Sequence, residues 1–132
     1  MNTIDKIAWI HVKNGQVLCA RSRGQESFYL PGGKRDPGES DKSTLIREIA
    51  EELSVQIELD TIKFFGIFEA EAHGKSKDIK VKMTCYTASF TGTLSPASEI
   101  EELAWLNYKD LDLVSQVSQK IFEQLYALKW LE

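Results

Sequence analysis

A segment rich in glycine and proline leads directly into an amphipathic helix, and this pairing restricts the possible folds more than any other part of the chain. Residues 31–39 hold three glycines and two prolines, so they must form a loop. Ser40 or Asp41 then caps a predicted helix that runs to about Leu53. Apolar side chains at 3–4 spacing predict one buried stripe on it, formed by Leu45, Ile46, Ile49, Ala50 and Leu53.

The chain before this loop predicts strands. Asn14-Gly15 separates two β-prone runs, residues 7–12 and 16–21, and is the strongest short signal for a hairpin because both residues tolerate positive φ. A third run at residues 28–30 stops at the loop. These elements predict the start of a β-sheet that the helix covers.

The chain after the helix predicts two longer strands and a second helix. The β-prone stretches cover residues 62–72 and 79–90 and are joined by a polar turn at 73–78. In the second stretch apolar and polar residues alternate over 81–87, which predicts a half-buried strand. Asp110 or Asp112 opens a last helix, with apolar side chains at helical spacing at Val114, Val117, Ile121, Leu125 and Leu128.

Length and composition favour one mixed α/β domain over residues 1–132. Hydrophobic residues make up 42% and charged residues 27%, which are globular proportions. No apolar run approaches the roughly 18 residues that a membrane-spanning helix needs, and the N-terminus lacks a signal-peptide pattern. The net charge of −4 argues against general binding to nucleic acid. Cys19 and Cys85 have no paired spacing, so we expect a reduced, cytoplasmic protein.

Three glutamates share one side of the first predicted helix. At about 100° per residue, Glu48, Glu51 and Glu52 fall within a sector of roughly 100°, nearly opposite the apolar stripe. Their mutual repulsion costs a few tenths of a kcal/mol per pair, and only Arg47 on the same helix is near enough to offset it. A bound Mg²⁺ or Mn²⁺ would explain the cluster, because the helix and loop offer only oxygen ligands. The alternative is an ordinary solvated acidic face.

The loop and helix together resemble the Nudix box. The family pattern is Gly, five residues, Glu, seven residues, Arg-Glu, an aliphatic residue, one residue, Glu-Glu, one residue, Gly and an aliphatic residue. The chain matches this pattern from Gly33 to Val55, at Gly33, Glu39, Arg47, Glu48, Ile49, Glu51, Glu52 and Val55. Ser54 replaces the last glycine, which in the family lies at the helix end, often in a left-handed conformation. Residues 28–34 and 102–106 are also similar to the family.

The resemblance implies a fold, a reaction and a cofactor. The fold is the Nudix α/β/α sandwich, a mixed β-sheet packed between helices, which agrees with the predicted order of elements. The reaction is that of a MutT-like pyrophosphohydrolase, which cleaves the diphosphate linkage of a nucleoside di- or triphosphate or a related nucleoside diphosphate-X compound. The cofactor is Mg²⁺ or Mn²⁺, and the partner is a small-molecule nucleotide. A homodimer is also possible, since such dimers are common among small Nudix proteins.

The resemblance also assigns roles to residues of the box. Glu48, Glu51 and Glu52 would bind the metal, and the carbonyl of Gly32 would add one more ligand. Arg47 would orient these glutamates. Glu39 would brace the loop at Gly33 against the helix.

The base that accepts the proton of the attacking water is left open by the resemblance. Glu48 is the candidate within the box and the one we favour. Other family members use a glutamate from a loop outside the box, for which the candidates here are Glu99, Glu101 and Glu102.

Substrate-binding residues are predicted from charge and aromatic character. Arg21, Arg23 and Lys34 flank the loop and could each clamp a phosphate, or simply be solvated. Trp9, Phe28 and Tyr29 are either partners for stacking on a base or core residues. The MutT branch reads an oxidised guanine with a late asparagine; Ser115 or Gln116 occupies that position, so we do not carry this specificity over.

Three hypotheses of function follow. The first is an active Nudix hydrolase. The second is a nucleotide-sensing module on the same fold that has lost catalysis. Because every glutamate of the box is present, the enzyme is favoured over the sensor. The third, an α/β interaction domain with a chance motif, is disfavoured by the number of residues that match in register.

Overall fold

The protein is described by a computed structural model that covers residues 2–72 and 78–132, so most of the predicted polar turn at 73–78 lies outside the described residues. Its strands are β1 (Asn2–Ile10), β2 (Val12–Lys13), β3 (Gln16–Ser22), β4 (Gly32–Gly33), β5 (Gln56–Ile57), β6 (Lys63–Glu71), β7 (Ile79–Thr87), β8 (Phe90–Thr91) and β9 (Ile100–Leu106). Its α-helices are α1 (Asp41–Leu53) and α2 (Gln116–Ala127), and 3₁₀ turns cover Leu59–Thr61 and Tyr108–Leu113.

The strands form a mixed arrangement. The central sheet has the order β4-β1-β7-β6, in which β1 runs parallel to β7 while β4 and β6 are antiparallel to their neighbours. Strands β2, β3 and β9 form a second sheet, and β5 pairs with β8. The predicted Asn14-Gly15 turn joins β2 to β3, with φ of 53° and 77° at the two residues.

The sheets lie between the two helices, each of which covers its own core. Leu45, Ile49 and Leu53 of α1 pack with Ile7 and Trp9 of β1. On the other side, α2 supplies Val117, Ile121, Phe122 and Leu125 to a core that contains Ala8 and Ile10. Successive residues of β1 therefore face opposite layers, as a strand between two covered faces requires. The predicted α/β/α sandwich is confirmed.

Three element predictions are wrong. Strand β7 was expected to expose one face, but it is internal to the central sheet and Thr84 is buried beside Met83 and Cys85. The last helix was expected to start at Asp110 or Asp112, but α2 begins at Gln116. Asp110 instead accepts a hydrogen bond from the backbone N–H of Asn107 (2.9 Å) and so completes the capping box of the 3₁₀ turn.

The short run at residues 28–30 is not a regular strand. Tyr29 forms an isolated bridge with Ala20, and Phe28 forms another with Val114. These bridges hold the chain beside β3 just before the glycine-rich loop. No helix within residues 2–72 and 78–132 is both long and apolar enough to cross a membrane.

Candidate active site

Two adjacent glycines allow the loop to approach both β1 and α1. Gly32 has φ +151°, and a Cβ there would collide with the carbonyl oxygen of Ile7. At Gly33 a Cβ would collide with the carboxylate of Glu48. Larger residues would therefore displace either the strand pairing or the glutamate. The helix starts on the far side of the loop, where Ser40 Oγ accepts a hydrogen bond from the N–H of Ser43 (3.1 Å).

Arg47 and Glu39 form a dense ion-pair network, which we call the loop brace. Arg47 Nε donates to Glu39 Oε2 (2.7 Å), and Arg47 Nη2 donates to Glu39 Oε1 (2.9 Å) and to the carbonyl of Lys34 (3.0 Å). Glu39 also accepts from the N–H of Asp36 (2.8 Å) and the hydroxyl of Thr44 (2.9 Å). These bonds, that of Arg47 first, lower the pKa of Glu39 to about 2. The loop brace ties the loop to the helix.

Arg47 also contacts the glutamates that follow it on the helix. Its Nη1 donates to Glu48 Oε2 (2.9 Å) and lies 3.4 Å from Glu51 Oε1. The Glu51 side chain is 53% exposed, whereas that of Glu48 is only 16% exposed. Neighbouring glutamates of one helix therefore have different surroundings.

A polar cavity of about 750 Å³ opens between the loop, α1 and the start of β9. Among the described residues its lining includes Glu48, Glu52, Glu99, Gly32, Gly33 and Lys34, whereas Glu51 is not part of it. Four glutamates line this cavity, and Glu26 is one of them. We call the part of the cavity lined by the other three, Glu48, Glu52 and Glu99, the carboxylate pocket. A second groove of about 650 Å³, beside His11, Asp60 and Trp130, contains none of the predicted site residues.

Glu52 is the innermost member of the carboxylate pocket. It is 3% exposed, accepts a hydrogen bond from the N–H of Gly32 (3.2 Å), and lies within hydrogen-bonding reach of the Glu99 carboxyl group. Burial is the main reason that its pKa rises to about 8, because a low-dielectric site disfavours the charged form. Burial also raises the pKa of Glu48. A hydrogen bond from Ser98 lowers the pKa of Glu99.

The chemistry of these donors fits a hard divalent cation. Carboxylate oxygens, together with a nearby backbone carbonyl, suit Mg²⁺ or Mn²⁺. Positive charge in this pocket would offset the burial and repulsion that now disfavour the ionised forms of Glu48 and Glu52. Within the described residues no group of three or more acidic, histidine or cysteine side chains is already close enough to form a complete cage. A cation would thus have to draw these carboxylates together, and Glu48 would have to share or release Arg47.

Only some of the predicted phosphate-binding residues and candidate loop bases line the cavity. Arg21 pairs with Glu102 (3.0 Å) and Glu101 (3.7 Å), and neither of these glutamates lines the carboxylate pocket. Arg23 is also absent from the described lining, whereas Lys34 and Glu99 belong to it. Of the three candidate bases outside the box, only Glu99 reaches the site.

Lys6 and Tyr29 also line the cavity. Tyr29 was considered only as a stacking candidate, and Lys6 was not predicted. The Lys6 ammonium lies 5.8 Å from the centre of the Tyr29 ring, and burial lowers its pKa. A sequence signal for Lys6 did exist, since strand alternation places it in the same row as the core residues Ala8 and Ile10. Trp9, by contrast, is fully buried and belongs to the core.

Comparison with known proteins identifies the family. The sequence profile of the NUDIX domain matches residues 3–128. The CTP pyrophosphohydrolase of Escherichia coli is 28% identical over 109 residues, which are 80% of this chain and 76% of that protein. The RNA pyrophosphohydrolase of Tolumonas auensis is 43% identical over 44 residues, but these cover only 33% of this chain and 25% of that protein.

The same fold is found in a solved MutT NUDIX hydrolase from Burkholderia pseudomallei. The two superpose with a TM-score of 0.75 over 95% of this chain and 99% of that one, at 22% sequence identity. The chain belongs to the Nudix family. The predicted family is thus confirmed, and both of the curated relatives named above are pyrophosphohydrolases by name.

Proposed function

We propose that this protein is a metal-dependent pyrophosphohydrolase that acts on the diphosphate linkage of a nucleoside di- or triphosphate, or of a nucleoside diphosphate-X compound. The observation that carries the proposal is the convergence of Glu48, Glu52 and Glu99 on one polar cavity beside the Gly32–Gly33 strand. Glu52 and Glu99 form no ion pair with a described basic residue, and Arg47 contacts only one oxygen of Glu48, whereas both oxygens of Glu39 in the loop brace are bonded by Arg47.

Glu48 and Glu52 would hold the cation, with Glu51 and the carbonyl of Gly32 as further ligands implied by the box. Such a cation supplies positive charge that offsets the phosphate oxygens and acidifies water. The N–H of Gly32 holds one oxygen of Glu52 and thereby orients the other. Arg47 holds Glu48 against the loop, and Gly33 leaves the space in which that carboxylate sits.

Glu48 is our proposed general base. Its pKa is raised by burial, and a base whose pKa lies closer to the working pH accepts a proton more effectively. Glu99 is the alternative, because it lines the same cavity from outside the box. Glu101 and Glu102 are less suitable, since both are engaged by Arg21 outside the cavity.

The proposed substrate is a small nucleotide. One relative is named for CTP and others for RNA, and the cavity lining is mostly polar, with Tyr29 as its one aromatic side chain among the described residues. We therefore place CTP first among the compounds to test. Both cysteines are buried and free, which supports the proposed cytoplasmic setting. The predicted homodimer is tested by measuring the mass in solution with light scattering.

A release assay tests the function. Phosphate and pyrophosphate release are measured over nucleoside triphosphates, nucleotide sugars, dinucleoside polyphosphates and capped RNA, each with Mg²⁺ and with Mn²⁺. Turnover that disappears on chelation of the metal supports the proposal. Tight nucleotide binding without turnover would point to a sensor. The absence of both binding and turnover would refute the proposed function.

A further inference from the structure

Of the three cations expected to bind phosphate, Arg21 is engaged by other groups, Arg23 does not line the cavity, and Lys34 does. Arg21 Nε and Nη2 donate to Glu102, and Nη1 donates to the carbonyl of Gln25 (3.0 Å). Arg23 lies outside the described lining of the carboxylate pocket. The positive side chains that do line this cavity, within the described residues, are Lys6 and Lys34. Lys34 is exposed, whereas Lys6 is partly buried.

Lys6 occupies a position where a strand would normally place an apolar residue. It lies on β1 in the row of Ala8 and Ile10, which are 0% and 2% exposed, and it pairs across the sheet with Met83. Burying an ammonium without a compensating charge is costly. Placing a lysine at this position therefore calls for a specific partner.

The described part of the protein does not supply that partner. Lys6 forms no ion pair with any described carboxylate. Among the described residues, the electrostatic contact that its ammonium makes is a cation–π contact with the Tyr29 ring. Tyr29 is itself anchored by backbone bonds to Ala20 and by a hydroxyl contact with Ser22. Glu48, Glu52 and Glu99 attract the ammonium from a longer distance. The cation is thus held in place by its surroundings but left unpaired.

We infer that Lys6 binds a phosphate group of the substrate, a role that the sequence assigned to Arg21, Arg23 and Lys34. The inference rests on the proposed function, since it places the phosphates of the substrate in the same cavity. An ammonium offers three donors to phosphate oxygens and can bind them as a point charge. The carboxylate pocket, when loaded with a cation, and Lys6 would then provide two positive centres for one diphosphate.

Binding measurements test this assignment without relying on turnover. Isothermal titration calorimetry is carried out with inorganic pyrophosphate in Mg²⁺ and with CTP in Ca²⁺. Lys6→Met should weaken both probes by about 10- to 100-fold, the size expected for one charged hydrogen bond. Lys6→Arg, which keeps the charge, should retain part of the affinity. Lys80→Met is the matched control, because Lys80 is a partly buried lysine on the neighbouring strand β7 and should leave both affinities unchanged.

Two further measurements separate a direct role from an indirect one. Thermal melts check that each variant is folded, and Lys6→Gln replaces Lys6→Met if the latter does not fold. Mg²⁺ titration without phosphate should show equal or tighter binding in Lys6→Met, since a neighbouring positive charge has been removed. Weaker Mg²⁺ binding would overturn the inference, because the phosphate affinity would then be lost through the metal site.

The outcomes also distinguish this inference from the proposed function. A loss for CTP with pyrophosphate unchanged would mean that Lys6 reads the nucleoside, and it would overturn the phosphate assignment. Unchanged affinity for both probes would overturn it as well. If no nucleotide is turned over while Lys6→Met still loses pyrophosphate binding, the inference stands and the proposed function fails. If the wild-type protein binds neither probe, the inference fails, and the release assay over the full set of nucleotides decides the proposed function.

Discussion

The loop brace and the carboxylate pocket are built from the same residue type, within one motif, and have opposite electrostatics. Glu39 in the loop brace has three different partners, and its pKa falls to about 2. Glu52 in the carboxylate pocket has one backbone donor and a second carboxyl group beside it, and its pKa rises to about 8. The charge of Glu39 is balanced by Arg47, whereas no described basic side chain forms an ion pair with Glu52.

This difference separates structural from functional carboxylates better than sequence position does. A carboxylate whose two oxygens are both bonded by protein donors, as in Glu39, stabilises the native protein and offers few free acceptor sites to a ligand. An unpaired, buried carboxylate destabilises the protein alone and gains when a cation arrives. Arg47 connects the two regions, because it bonds Glu39 on one side and Glu48 on the other.

The largest expected effect is on the proposed base in the carboxylate pocket. Glu48→Gln should lower kcat by about 10²–10⁴-fold, while CTP binding in Ca²⁺ stays within a few-fold of wild type, because a base acts mainly in the transition state. Glu99→Gln should be milder. Steady-state kinetics and calorimetry on both variants check this.

The opposite pattern would reassign the base. In that case Glu99→Gln would abolish turnover, and raised Mn²⁺ would fully rescue Glu48→Gln. Extra metal can refill a weakened site but cannot replace a missing base. Glu101→Gln serves as the matched control, since Glu101 lies near Glu99 in sequence but pairs with Arg21.

Glu52→Gln should reduce turnover by at least ~10²-fold, as expected for loss of a major electrostatic contribution. The amide oxygen can still accept the hydrogen bond from Gly32, so the metal-free protein should be as stable as wild type or more stable. Turnover at saturating Mg²⁺ and a thermal melt are the two measurements. Glu123→Gln, at an exposed position of α2, is the control; near-normal activity of Glu52→Gln would remove Glu52 from the ligand set.

The two regions should also give opposite pH dependence of stability in metal-free protein. Glu39 has a lowered pKa, so its contribution to the free energy of unfolding is fully present above about pH 4.5 and is lost as the pH falls toward 2. Glu52 has a raised pKa, so its contribution to the free energy of unfolding is fully present below about pH 4.5 and is lost as the pH rises through 8. The free energy of unfolding should therefore decline on both the acid and the alkaline side.

Urea unfolding between pH 2.5 and 9 measures these two declines. Arg47→Met should flatten the acid side, because Glu39 then loses its main partner. Glu52→Gln should flatten the alkaline side, and Mg²⁺ should do the same in the wild-type protein. If Glu52→Gln left the alkaline side unaltered, the burial of Glu52 would not be the cause of that decline.

The smallest expected effect lies at the end of α1, away from both regions. Ser54 has φ 66°, in the left-handed region, and its N–H caps the carbonyl of Ala50 (3.1 Å). Ser54→Gly should raise the free energy of unfolding by at most about 1 kcal/mol, because glycine adopts this conformation without Cβ strain. The gain is reduced by the loss of the hydrogen bond from Ser54 Oγ to the carbonyl of Ser95 (3.1 Å). Ser54→Ala, which loses the bond but keeps the Cβ, separates the two terms in urea titrations; a less stable Ser54→Gly would contradict the strain argument.

Local signals determined the helix, the hairpin and the family. Ser40, the apolar stripe and Ser54 mark the bounds of α1, because caps and helical periodicity act within a few residues. Asn14-Gly15 specifies the hairpin for the same reason. The spacing from Gly33 to Val55 was sufficient to identify the family, since each residue of the box meets its partner across one loop and one helix.

Only the tertiary structure decided which charges meet. Glu51 and Glu52 are adjacent in sequence, yet one is exposed and the other is enclosed by the loop and Glu99. The sequence predicted Arg21 as a phosphate clamp, but the pairing of β3 with β9 places Glu102 opposite it and the two side chains form an ion pair. Lys6 lines the site because β1 pairs with β4 of the glycine-rich loop. Electrostatic partners depend on distances across the sheet, and these distances are set by strand order and register, which no local pattern specifies.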